Sequence, residues 1–67
     1  MFDRKRFRAK VIEKGLTLQK IAEIMGIKEA TLYRKMNGDS DFTRNEIQLF
    51  REKLGLSAAE TDAIFFA

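Results

Sequence analysis

The sequence predicts a compact all-α fold of five short helices in a single domain spanning residues 1–67, and three observations carry that expectation. Apolar residues recur at three- and four-residue spacings, as in Ile21, Ala22, Ile24 and Met25 and again in Ile47, Phe50 and Leu54. No stretch alternates apolar and polar residues strictly enough for a half-buried strand. Each of the four glycines, at 15, 26, 38 and 55, closes one of these periodic segments.

The first helix is expected from about Asp3 to Lys14, with Phe7 and Val11 on its buried face, Ile12 beside them and Gly15 at its end. Thr17 then caps the second, and Leu16 before the cap is placed to pack on Ile21. Gly26 ends it and Ile27 occupies the turn. The third helix spans about Lys28 to Asn37 and is closed by Gly38, with the polar loop Asp39-Ser40-Asp41 following. Thr43 and Glu46 have the spacing of a capping box, with Phe42 and Ile47 at the flanking apolar positions, so the start of the fourth helix is the best specified. Gly55 stops that helix, Ser57 and Glu60 repeat the box, and the fifth helix carries Ile64, Phe65 and Phe66.

Composition narrows the function classes. The chain has 67 residues, no cysteine and no histidine, so disulfides, zinc held by the usual ligands and a histidine-based triad are excluded. No activated nucleophile, paired carboxylates or phosphate-cradling glycine loop is evident, so neither an enzyme nor a cofactor is expected. No apolar run approaches the roughly 18 residues that span a bilayer, and the basic start lacks a following apolar region, so a cytoplasmic protein without membrane anchor or signal peptide is expected. The formal net charge of +3 is unevenly distributed. Residues 1–14 sum to +4 and residues 15–38 to +2, while everything from Asp39 onward sums to −3. A basic front and an acidic back would orient the molecule toward a polyanion, although a charge run also serves simply to solvate a helix.

The third helix is the informative one. With about 100° per residue and Leu32 set toward the core, Met36 falls beside it, Ala30, Arg34 and Asn37 fall opposite, and Thr31 and Tyr33 lie on the flanks. Its apolar stripe is narrow, leaving Tyr33, Arg34 and Lys35 bare. Two helices joined by a short glycine-containing turn, the second with a polar outer face, is the connection used by the DNA-binding helix-turn-helix, although a plain helical hairpin has the same pattern.

The stretch LTLQKIAEIMGIKEATLYRKMNG resembles the helix-turn-helix core of the lambda-repressor-like, Cro-type (XRE) family. The resemblance is carried by Leu16 and Thr17, Ile21 and Ala22, Met25 with Gly26 and Ile27, Thr31, Arg34, and Asn37 with Gly38. The following DFTRNEIQLFREKLGLSAAE is similar to the fourth and fifth helices of small phage or prophage regulators of Gram-positive bacteria. Two departures stand out: Leu18, with Gln19 one place later, replaces the usual glutamine of the second helix, and Lys28 replaces the usual serine or threonine cap of the third.

The resemblance implies a sequence-specific double-stranded DNA binder acting as a small transcriptional repressor, with the third helix in the major groove and Glu29, Ala30, Tyr33 and Arg34 as reading side chains. Chemically, Arg34 suits guanine, Glu29 the cytosine amino group and Ala30 a thymine methyl. Glu29 equally suits the positive end of the helix dipole, Tyr33 a phosphate or a half-buried site, and Arg34 a surface ion pair. Phosphate contacts are assigned to Thr17, Gln19, Lys28, Thr31, Lys35 and Asn37, with Arg4, Lys5, Arg6 and Arg8 adding a sequence-independent grip if they face the duplex. A homodimer on a palindromic operator is expected, paired through Ile64, Phe65 and Phe66, although Ile64 or Phe65 could instead close the core over the first helix. The rival readings are a protein-binding antirepressor or modulator that grips a second phage regulator, and an antitoxin.

Overall fold

Four of the five helices begin where a side chain supplies an acceptor for free backbone amides. The computed structural model describes residues 1–67 and contains α1 (Arg4–Glu13), α2 (Leu18–Met25), α3 (Glu29–Met36), α4 (Arg44–Leu54) and α5 (Ala58–Phe65), with no strand. Asp3 accepts from the Arg6 amide at 3.0 Å and Thr17 from the Lys20 amide at 3.1 Å. Both capping boxes are complete: the Thr43 hydroxyl accepts from the Glu46 amide while Glu46 accepts from the Thr43 amide, and Ser57 and Glu60 repeat the exchange. Only α3 lacks such a bond, because Lys28 at its cap offers no acceptor.

The turn between α2 and α3 depends on Gly26, whose φ of 73° lies in the left-handed region. That conformation lets the Ile27 amide reach the Ala22 carbonyl at 3.0 Å and the Gly26 amide reach that of Glu23 at 3.1 Å, so two of the carbonyls in the last turn of α2 are satisfied while the chain reverses.

Helix α2 packs against α3 and α4, α1 against α5, and α4 against α5, within an envelope of 27 × 24 × 21 Å. Twelve apolar side chains form the core: Phe7 and Val11 from α1; Ile21, Ala22 and Met25 from α2; Leu32 and Met36 from α3; Phe50, Leu54 and Leu56 from α4 and its exit; Ile64 and Phe65 from α5. Aromatic rings bind the two ends of the chain together. Phe7 stacks on Phe50 at 4.8 Å, and Phe65 lies edge-on to Phe50 at 5.6 Å and to Phe42 at 5.3 Å. The Asp3 amide also donates to the Ile64 carbonyl at 2.6 Å, joining the start of α1 to α5.

Two expectations about apolar residues are corrected. Ile12 is 72% exposed rather than packed beside Val11, since it faces away from α5. Ile64 and Phe65, expected on a dimer surface, are 2% and 6% exposed within the monomer core, because closing α5 over α1 requires both of them. Phe66 alone of the three remains out, at 64% exposure. No helix is long and apolar enough to cross a membrane.

Candidate functional site

Core packing sets the orientation of α3. Leu32 is fully buried and Met36 nearly so, which turns Glu29, Ala30, Tyr33 and Arg34 toward solvent. All four proposed reading residues are exposed and lie on one helix of eight residues. The Tyr33 hydroxyl donates to Glu29 at 3.3 Å, one turn away, so the ring and the carboxylate hold each other on the outer face. Arg34 takes part in none of the five ion pairs of the molecule, leaving its guanidinium fork unoccupied.

The N-terminal end of α3 is distinct from the other four. The amides of Glu29, Ala30 and Thr31 have no partner within the chain: the first two amides are free in every helix, and the third, bonded by the cap side chain in the other four, is free here because Lys28 offers no acceptor. Lys28, the cap residue, is exposed and cationic, so unsatisfied donors and a positively charged residue share this end of the helix. Thr17 and Gln19 at the start of α2 are exposed as well, while Thr31 is half-buried on the flank of α3. Thr17 uses its oxygen to cap α2, which leaves its hydroxyl proton free to donate. At the other end Asn37, the C-cap residue, accepts from Arg4 at 2.8 Å.

Lys35 does not belong with these residues, and its assignment as a bare phosphate ligand is corrected. It is only 8% exposed. Its Nζ donates to the Glu46 carboxylate at 2.8 Å and to the Asp41 carbonyl at 3.0 Å. Glu46 in the first turn of α4 and the Asp41 carbonyl in the loop before it close over Lys35, so that its charge is matched and its polar atoms are satisfied. Burial acts to raise the Glu46 pKa, but the Lys35 bond and then the Thr43 amide outweigh it and hold the carboxyl below its ordinary range. One carboxylate thus completes the α4 capping box and anchors α3 together with the loop between them. The spacing contained the signal, since Leu32, Lys35 and Met36 are related as i, i+3 and i+4 and so share a face.

A groove beside this pair is lined by Phe2, Met36, Phe42, Ile47, Phe65 and Phe66 among others, and the exposed Phe66 ring forms part of its wall. On the far side of α1, Lys10 bridges Glu13 at 2.8 Å and Glu60 at 3.0 Å. The Ser57 amide, reinforced by Lys10, lowers the Glu60 pKa to about 2. That side of the molecule is neutralised internally, whereas the outer face of α3 is not.

No family model matches the chain, no curated protein matches it and no solved structure matches it.

Proposed function

We infer that this chain binds double-stranded DNA sequence-selectively and works in the cytoplasm as a small transcriptional regulator of Cro-like type, with α2 and α3 as a helix-turn-helix and α3 in the major groove. The observation that supports this most is the joint exposure of Glu29, Ala30, Tyr33 and Arg34 on a helix held in place by Leu32, Lys35 and Met36. A rigidly mounted helix with an uncommitted guanidinium, a carboxylate and a methyl group has the donor, acceptor and apolar features that read base edges in the major groove.

In this reading Arg34 donates in bidentate fashion to guanine, and Glu29, steadied by Tyr33, accepts from a cytosine amino group. Thr17, Gln19, Lys28, Thr31 and Asn37 hold phosphates on either side, which fixes register without reading sequence. The free amides at the start of α3 add donors of the kind that phosphate oxygens accept. A single domain of this size contacts too few bases to select a site in a genome, so two copies on a palindrome complete the reading, with Phe66 as the apolar contact between them.

The test is a selection of binding sites from random duplexes, run with the purified chain at two salt concentrations. A palindromic consensus, with log affinity falling against log salt by about 0.9 for each phosphate that a lysine or arginine neutralises, is the expected result. No enrichment at either salt rejects the DNA reading and leaves protein recognition as the role of the α3 face.

A further inference from the structure

We propose that Arg4, Lys5 and Arg8 form a second contact strip for the sugar-phosphate backbone of duplex DNA, coupled to α3 by the hydrogen bond from Arg4 to Asn37. This rests on the reading of α3 as the groove-inserting helix.

Helix α1 opens with Arg4, Lys5 and Arg6 and has no acid in its first turn. Three cations at the positive end of a helix dipole are mildly unfavourable, so an anion bound beside them is favoured. Asp3 supplies one only to Arg6, at 3.2 Å. The cations of α1 are in fact sorted by side. Arg6 and Lys10 are paired with Asp3, Glu13 and Glu60. Arg4, Arg8 and Lys5 fall within an arc of about 100° that contains no acidic residue, and none of the three makes an ion pair. All three are exposed.

The bond to Asn37 decides where this strip points. Arg4 Nη1 donates to Asn37 Oδ1 at 2.8 Å, across 33 residues of sequence, placing the guanidinium at the C-terminal end of α3. Asn37 is neutral, so it orients Arg4 without cancelling its charge, and four of the five guanidinium N–H donors stay free. The Asn37 amide NH2 makes no bond within the chain and adds donors at the same place. Arg4 and Arg8 are separated by about 6 Å along the helix. One strand presents a phosphate about every 3.4 Å of duplex axis, so the two side chains reach different phosphates. The strip therefore extends the footprint beyond the C-terminal end of α3 and contributes affinity without selectivity.

The test measures binding to a selected site and to an unrelated duplex across a salt series, for the wild type, Arg4→Gln, Asn37→Asp and the control Arg6→Gln, whose folding is checked by circular dichroism. Arg4→Gln is expected to make the log–log salt slope shallower by about 0.9 and to weaken both duplexes equally, by about tenfold at 0.1 M salt. Asn37→Asp, which leaves α1 intact and converts the bond into a neutralising ion pair, is expected to shift the slope in the same direction. Arg6→Gln is expected to leave it unchanged. Equal slopes for the wild type and Arg4→Gln, with site-selective binding retained, overturn this inference alone. A wild type that binds neither duplex overturns both this inference and the reading of α3.

Discussion

Replacing Lys35 with methionine tests how α3 is held. Both members of the Lys35–Glu46 pair have side chains less than a tenth exposed, their nitrogen and oxygen are 2.8 Å apart, and Glu46 also serves the α4 capping box. Methionine keeps the bulk of the lysine stem but leaves the carboxylate with the Thr43 amide as its one remaining donor at that oxygen. Breaking a buried pair in this way costs about 3–5 kcal/mol. The exposed residues Asp41 and Thr43 flank the pair and let water approach, which places this case near the lower value, at about 3 kcal/mol. A domain of 67 residues has on the order of 3–10 kcal/mol in total, so the loss is a large fraction of its stability. Urea unfolding followed by far-ultraviolet circular dichroism should show a lower midpoint with an unchanged slope. The double variant Lys35→Met with Glu46→Gln keeps a residue able to complete the box and removes the orphaned charge, so it should recover more than half of the loss. A cost below about 0.5 kcal/mol for Lys35→Met, the value for an ordinary surface substitution, would refute the argument that this pair anchors α3.

Three further outcomes follow from the same geometry. Glu46 and Glu60 have folded pKa values below the ordinary carboxylate value of 4.5, Glu60 at about 2, so the stability they contribute is present above the unfolded value and is lost as pH falls through the folded one. The midpoint of thermal unfolding should fall between about pH 5 and pH 2, less steeply in Glu60→Gln, and an identical profile in that variant would count against the Ser57 and Lys10 contacts. Gly26→Ala should cost about 1–2 kcal/mol by urea unfolding, since the left-handed φ is the obstacle and an added Cβ meets nothing within 4 Å; a neutral result would contradict that strain. Phe66→Asp should weaken self-association about tenfold or more in sedimentation equilibrium, from the loss of about 1.5–3 kcal/mol of apolar burial, and unchanged sedimentation would reject Phe66 as the contact between copies.

The parts of this molecule that were legible from sequence are those governed by short-range chemistry. Thr43 with Glu46 and Ser57 with Glu60 bond across three residues, so their spacing alone located the starts of α4 and α5. Gly26 and Thr17 bracketed α2 in the same way. The outward set of α3 also followed from periodicity, because Leu32 and Met36 define one face and Ala30 and Arg34 the other.

What was not legible depends on how distant segments meet. The spacing puts Lys35 on the face of Leu32 and Met36, but its partner is set only when α4 brings Glu46, 11 residues on, to within 2.8 Å of it. Ile64 and Phe65 read equally as a dimer surface or as closure of the core, and only the packing of α5 beside α1, where Phe65 meets Phe2, Phe7, Phe42 and Phe50, decides between the two. The link between Arg4 and Asn37 spans 33 residues and joins two positions that share no local pattern. In each case charge or hydropathy describes the side chain correctly, while its neighbour is fixed only by tertiary packing.

The most direct test of the claim that the outer face of α3 reads DNA compares the wild type with Arg34→Ala on the selected duplex and on an unrelated one. The account predicts that Arg34→Ala lowers the ratio of the two affinities by about 5- to 150-fold, equivalent to the roughly 1–3 kcal/mol of one bidentate base contact, with the fold intact by circular dichroism. An unchanged ratio, with both affinities as in the wild type or both reduced alike, would contradict it.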